Sequence, residues 1–268
     1  MAIALTIAGS DSGGGAGIQA DLKTFAAFGV YGCSAVTAIT AQNTIGVSAI
    51  FEIPNDVIKD QIFAVFDDIG ADVIKIGMLS SKSIIQTVSE CLRKIKNNNE
   101  IKIVLDPVMI AKGGDRLLEE NAVQLLQNLM IPLADVVTPN IPEAEVLVRF
   151  PINDDNDLRR AARFIINELG ARSVVIKGGH ATGNNCDDLY YDGKEFRVLY
   201  GKRINTNNTH GTGCTFASAL AANLALNRSI SEVLTCSKSY VVDCIKNAPA
   251  IGHGHGPLNH FPFLRIKD

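Results

Sequence analysis

Short apolar, β-branched runs at 3–8, 33–40, 73–76, 101–105, 136–138 and 173–177 alternate along the chain with longer segments of helical period. The clearest of those segments is 57–66, where Ile58, Ile62, Val65 and Phe66 recur on one helix face. The same period predicts helices at 17–28, 81–96, 119–129, 157–169, 212–226 and 231–245. Strands that are apolar throughout and separated by helices imply a parallel sheet covered on both faces. One departure lies at 189–199, where Asp192-Gly193 joins two strand-like runs, a strong hairpin signal. No internal repeat, low-complexity tract or Pro/Gly-rich linker divides the chain. The expectation is one α/β domain over 1–268, with a mostly parallel central sheet and a small edge hairpin.

Composition narrows the function classes. Lys and Arg number 25 against 28 Asp and Glu, a net charge of −3, so no basic stripe favours nucleic acid as partner. No apolar run approaches the roughly 20 residues of a membrane span. The opening Met-Ala-Ile-Ala-Leu-Thr-Ile-Ala-Gly has no positive segment ahead of a long apolar stretch, so no secretory leader is expected. Six scattered cysteines without Cys-x-x-Cys spacing read as reduced thiols of a cytoplasmic protein.

In an open α/β sheet, ligands bind outside the carboxyl ends of the strands. Those ends carry the polar and glycine-rich residues here. Gly9-Ser10-Asp11-Ser12-Gly13-Gly14-Gly15-Ala16-Gly17 follows the first run and Ala41-Gln42-Asn43-Thr44 the second. Gly77-Met78, Asp106-Pro107-Val108-Met109, Pro139-Asn140-Ile141-Pro142-Glu143 and Gly178-Gly179-His180 follow the next four. The first glycine loop fits neither familiar phosphate motif. Counting a dinucleotide fingerprint from Gly13 and Gly15 lands on Ile18, and a P-loop counted from Gly9 lacks its Lys-Ser/Thr. A tight strand-to-helix turn explains the loop, as does close approach of a ligand to the backbone.

The second glycine loop is sharper. Gly211-Thr212-Gly213-Cys214 runs into Thr215-Phe216-Ala217-Ser218-Ala219-Leu220, a strong helix former. The first N–H groups of a helix lack intrahelical partners, and the dipole adds about half a positive charge, so an anion such as a transferring phosphoryl group is favoured there. Cys214 reads either as a small buried hydrophobe or as a thiol whose pKa the helix start lowers; its position favours the second.

Asp106 and Glu143 each follow an apolar strand. Each reads as a cap or turn residue, or the two together as outer ligands of Mg²⁺ that holds polyphosphate. Lys177 closes its strand either snorkelling outward or reaching a phosphate. The histidines of Gly252-His253-Gly254-His255-Gly256 have no further ligand nearby in sequence, which argues against zinc. The turn at Gly113-Gly114 and the Asp192-Gly193 hairpin are candidate mobile or edge elements.

These motifs, in order, resemble the hydroxymethylpyrimidine/phosphomethylpyrimidine kinases of thiamine biosynthesis. The resemblance rests on Leu5-Thr6-Ile7-Ala8-Gly9-Ser10-Asp11, Gly14-Gly15-Ala16-Gly17-Ile18-Gln19-Ala20-Asp21 and Ala41-Gln42-Asn43-Thr44. Lys75-Ile76-Gly77-Met78, Leu105-Asp106-Pro107-Val108-Met109, Lys177-Gly178-Gly179-His180, Asn208-Thr209-His210-Gly211-Thr212-Gly213-Cys214 and Gly252-His253-Gly254-His255-Gly256-Pro257 continue it to about residue 260. It implies the ribokinase-like three-layer α/β/α fold and phosphoryl transfer from MgATP to the pyrimidine and then to its monophosphate.

By that resemblance Gln42 hydrogen-bonds the aminopyrimidine edge, with Gly9, Asp21, Met78, Val108 and His210 completing the substrate pocket. Gly211, Thr212 and Gly213 form the anion hole, and Cys214 stands where many ribokinase-like enzymes carry an aspartate base. Lys177 and Lys238 neutralise ATP phosphates, while Asp106 and Glu143 hold Mg²⁺ largely through water. A homodimer is expected. The nearest rival is a pyridoxal or pyridoxine kinase of the same fold, which the Gln42 amide, offering both donor and acceptor, disfavours.

Overall fold

Along β1 (Ile3–Asp11), Ala4 and Thr6 turn to one face of the sheet, while Leu5 and Ile7 turn to the other. The same alternation in β4 (Val73–Ile76) sends Ile74 and Ile76 one way, and Val73 and Lys75 the other. The computed structural model describes residues 1–98, 100–109, 122–180 and 185–264.

The remaining strands are β2 (Tyr31–Gln42), β3 (Val47–Glu52), β5 (Lys102–Leu105), β6 (Val136–Val137), β7 (Val174–Ile176), β8 (Asp188–Tyr191) and β9 (Phe196–Leu199). All nine form one sheet in the order β3-β2-β1-β4-β5-β6-β7-β8-β9. The six predicted runs make its parallel centre, from β2 through β7. The predicted hairpin is β8–β9, antiparallel at one edge. At the other edge β3 pairs antiparallel with β2, a strand the sequence pattern did not predict. It faces solvent along nearly its whole length, so no buried face imposes an alternation.

Helices α1 (Gly17–Ala27), α7 (Thr212–Ala225) and α8 (Ile230–Lys246) cover one face with Phe25, Phe216, Leu220 and Val233. Helices α2 (Asn55–Asp68), α3 (Lys82–Asn98), α5 (Ile141–Val148) and α6 (Asp155–Asn167) cover the other. This is the three-layer α/β/α arrangement that the motifs imply. Helix α5 was not foreseen from periodicity, yet its start is written in the chain. Asn140 caps the backbone N–H of Glu143, Glu143 accepts from the backbone N–H of Asn140, and Pro142 sits in the first turn. Of the expected helix at 119–129, a short turn of α4 (Val123–Leu125) continues as a π-helical turn, Leu126–Met130. Its first residues, and Gly113-Gly114, lie outside the described residues.

Helix α7 is buried on every side from Thr215 to Ala225, which its run of alanines and small polar residues permits. It packs on α1, α8, β4 and β5 with its first turn at the carboxyl end of the sheet. The sequence therefore spends its most buried helix on placing the glycine turn at 211–214.

Candidate active site

Strand order reverses between β1 and β4, and a cavity of about 610 Å³ opens at that switch point. Gly9 ends the apolar part of β1 opposite Met78. A Cβ at Gly9 would lie 3.1 Å from the Met78 sulfur, so glycine keeps this corner open. Gly9, Met78, Gln42, Val108 and His210 all line the cavity.

Asp11 organises the first glycine loop. Its carboxylate accepts the backbone N–H groups of Gly13 (2.8 Å), Gly15 (3.0 Å) and Ala16 (2.8 Å). The same group meets His210 Nε2 at 2.8 Å. Burial pushes the Asp11 pKa up, but the hydrogen bond from His210 and those from the backbone outweigh it and leave it lowered. A Cβ at Gly15 would strike the His210 ring, so the glycine is what lets loop and ring touch. Gln42 Nε2 stands 3.5 Å from His210 Nε2, which makes the two side chains one polar wall.

Directly after His210 comes the start of α7. Gly211, its N-cap, has φ 83°, and a Cβ there would collide with the carbonyl oxygen of Gly15. A Cβ on Gly213 would stand 3.2 Å from Lys177 Nζ and 3.5 Å from Asp106 Oδ2. Thr212 N–H donates back to the Thr209 carbonyl at 3.3 Å, and the N–H groups of Gly213 and Cys214, in the first helical turn, open beside a lysine and a carboxylate.

Lys177 Nζ lies 2.8 Å from Asp106 Oδ1, which also accepts the Thr138 hydroxyl at 3.0 Å. Burial works against the Lys177 charge, but Asp106 and Glu143 overcome it and raise its pKa. Glu143 serves α5 as the capping-box residue, so the cap reading is realised, and it also lines the cavity. Burial is the main reason its pKa is pushed up to about 7; Lys177 opposes this and Asp106 reinforces it. Among the described residues no three acidic, histidine or cysteine side chains converge on a metal position. Two hard carboxylates, one of them held against the charge of the other, suit a Mg²⁺ ion that keeps several waters.

Lys238 of α8 also reaches the cavity, held by Asp188 (2.7 Å) and the carbonyl of Cys186 (2.6 Å). Two sequence expectations change, and one residue was missed. Asp21 does not line the cavity: it is fully buried beneath it, accepting from Thr6 Oγ1 (2.6 Å), Ser218 Oγ (2.6 Å) and Lys75 Nζ (2.9 Å). Those partners hold both oxygens inside the protein, and none of the residue's surface reaches the cavity. Lys75, not singled out before, approaches the cavity floor from below with its side chain wholly buried, and a lysine inside an otherwise apolar strand was its signal. Finally, burial pushes the Cys214 thiol up to about 11, against the pull of Lys75, where the helix start was expected to lower it.

A family model described as phosphomethylpyrimidine kinase matches residues 11–259. The chain is 49% identical over 256 residues to the thiamine biosynthesis bifunctional protein ThiED of Geobacter sulfurreducens, covering 96% of this chain and 51% of that one. It thus spans about half the length of the bifunctional protein. It is 46% identical over 263 residues to the hydroxymethylpyrimidine/phosphomethylpyrimidine kinase of Bacillus subtilis, with 98% of this chain and 96% of that one covered. Among solved structures it is similar to an ADP complex of Bacillus subtilis pyridoxal kinase, at TM-score 0.89 and 38% identity over 100% of both chains. That likeness sets the three-layer sheet among the ribokinase-like kinases. With a family model spanning nearly the whole length and relatives that match from end to end, the chain belongs to the phosphomethylpyrimidine kinase family.

Proposed function

We propose that the protein transfers the γ-phosphoryl group of ATP to the hydroxymethyl oxygen of 4-amino-5-hydroxymethyl-2-methylpyrimidine, and then phosphorylates the monophosphate to the diphosphate, in thiamine biosynthesis. The observation that carries this reading is the glycine turn of α7 opening beside Lys177 and Asp106, with Gln42 and His210 across the same cavity. Phosphoryl transfer asks for positioning and charge neutralisation more than covalent help. Gln42 reads the aminopyrimidine edge as donor and acceptor, and Gly9, Met78 and Val108 flank the ring. Backbone N–H groups from Gly211 to Cys214 take the charge that develops on the transferring group. Lys177 and Lys238 neutralise phosphate oxygens. Asp106 and Glu143 would hold Mg²⁺, and the ion would supply further charge neutralisation when bound. The substrate hydroxyl loses its proton to the Cys214 thiolate as the new P–O bond forms and the bond to ADP breaks. The thiolate fraction then limits the rate.

The whole chain, 1–268, acts as one kinase domain, working in the cytoplasm where its cysteines stay reduced. It pairs as a homodimer through the outer face of the β2–β3 ladder. Ile39 and Phe51, opposite each other there, are 50% and 66% exposed, and burying such an apolar pair favours a second copy. Nucleic acid and membranes play no part in this reading. No helix among the described residues is long and apolar enough to cross a membrane.

A second reading is pyridoxal kinase, favoured by the likeness to the ADP-bound enzyme of that name. Product mass separates the two after incubation with MgATP and, in turn, the pyrimidine, its monophosphate and pyridoxal. Mono- and diphosphate of the pyrimidine are expected. Product from pyridoxal alone overturns the assignment of Gln42.

A further inference from the structure

The glycine-histidine segment 252–257 touches both halves of the polar wall. On one side Gly254 N–H donates to Thr44 Oγ1 at 3.2 Å and His255 N–H donates to the Thr44 carbonyl at 2.7 Å. Thr44 lies two residues past Gln42, whose own backbone is tied in both directions to the Ser12 hydroxyl, at 2.7 and 2.8 Å. On the other side the Gly256 carbonyl accepts the His210 N–H at 3.1 Å, Pro257 bridges to His210, and His255 Nδ1 stands 3.3 Å from the Asn207 carbonyl. Segments around residues 44 and 208, far apart in sequence, are thus held against one short piece of chain. Gln42 and His210 stand on those two segments, and their side chains are 3.5 Å apart.

The glycines are what make the fit. A Cβ at Gly254 would collide with the Thr44 carbonyl oxygen and one at Gly252 with the Thr44 side chain, where φ is also +79°. A Cβ at Gly256 would strike the Asn208 amide and stand 3.3 Å from the Ile251 carbonyl oxygen. Backbone packed this closely on backbone leaves no slack for the loop to drift.

We propose that segment 252–257 is a clip that fixes the separation of Gln42 and His210, making Gly252 and Gly254 positioning residues for the ring of the phosphoryl acceptor. No residue of 252–257 lines the cavity, and the segment's contacts go to the loops that carry Gln42 and His210 rather than to Lys177, Lys238 or Asp106, so the clip acts on one substrate and not the other. The inference rests on the reading that Gln42 and His210 face that ring.

The test is Gly254→Ala beside Gly193→Ala, a control in the β8–β9 turn where a Cβ meets nothing nearer than Ile166 at 3.8 Å. Gly254→Ala should raise KM for the pyrimidine at least tenfold while KM for ATP stays within twofold, and Gly193→Ala should change neither by more than about twofold. Equal increases in both KM values for Gly254→Ala, or none, overturn the clip. If Gly254→Ala does not fold, Thr44→Val decides, since it swaps the Oγ1 hydroxyl for a methyl and leaves the His255 bond to the Thr44 carbonyl in place; a pyrimidine KM raised two- to fivefold supports the clip and no change overturns it. Amide hydrogen exchange on the ligand-free protein is independent of the assigned reaction. In Gly254→Ala, or in Thr44→Val should that variant be needed, exchange should quicken at 43–46 and 207–210 and not in α7, and uniform protection overturns the clip. If the wild-type protein phosphorylates pyridoxal instead, the proposed function fails while exchange still judges the clip.

Discussion

The Lys75 ammonium lies 2.9 Å from the Asp21 carboxylate, and neither side chain has any exposed surface. Thr6, directly opposite Lys75 in the parallel ladder, donates to the same carboxylate, as does Ser218, one helical turn beyond Cys214. One carboxylate therefore ties α1, β1, β4 and α7 together under the cavity floor. Burial alone would lower the Lys75 pKa, but the charges of Asp21, Cys214 and Asp106 raise it, so the ammonium persists in the interior.

Breaking that pair from one side should be costly. Lys75→Met leaves a buried carboxylate without its cation, a loss of about 3–5 kcal/mol. Lys75→Met combined with Asp21→Asn removes both charges and should recover part of that. Urea unfolding midpoints of the three proteins check this. A single variant within about 1 kcal/mol of wild type would show that Thr6 and Ser218 suffice to hold the carboxylate.

Much of this site was legible in the chain because parallel strands and glycine turns leave local signatures. The apolar runs, the Asp192-Gly193 hairpin and the glycine turn at Gly211 each follow from their own residues. What escaped depends on partners distant in sequence. Asp21 looks like a ligand residue from its motif, and only the fold shows Lys75 arriving from 54 positions away to occupy it. Cys214 illustrates the same limit, since the helix start favours a thiolate while depth of burial, invisible in sequence, pushes the other way. Strand β3 escaped for the opposite reason, having no buried partner to shape its pattern.

Glu143 should make metal binding depend on pH near neutrality. Burial raises its pKa from 4.5 to about 7. Its contribution to stability is therefore full below about 4.5 and is lost as pH rises through about 7. Mg²⁺ must displace that proton, so its binding tightens over the same rise. The shift in Tm produced by Mg²⁺ should be larger at pH 8 than at pH 6, and Glu143→Gln should abolish the difference. An equal shift at both pH values would remove Glu143 from the metal site.

Cys214 should titrate late. With its thiol pushed up to about 11, alkylation by iodoacetamide should climb about tenfold per pH unit through the neutral range, read at this residue by peptide mass. Cys214→Ala should lower kcat by about 10²-fold or more, as expected on loss of a general base, with little change in either KM. An alkylation plateau near pH 8 would contradict the burial argument. Losses spread equally over kcat and KM would leave Cys214 as a packing residue.

Gly211 and Gly193 allow strain to be separated from close approach. Both have strongly positive φ, 83° and 86°, so alanine at either site carries a backbone penalty on the order of 1–3 kcal/mol. Their surroundings differ. A Cβ on Gly193 meets nothing nearer than Ile166 at 3.8 Å, whereas one on Gly211 runs into the Gly15 carbonyl oxygen. Gly193→Ala should therefore lower Tm and leave kcat untouched. Gly211→Ala should lower Tm by more and also depress kcat, because the first glycine loop must move away from the start of α7 and the N–H cradle opens. Thermal melts and saturating kinetics on the two variants decide it. If Gly211→Ala loses only the stability that Gly193→Ala loses and keeps its kcat, the contact between the two glycine loops has no part in shaping the phosphoryl site.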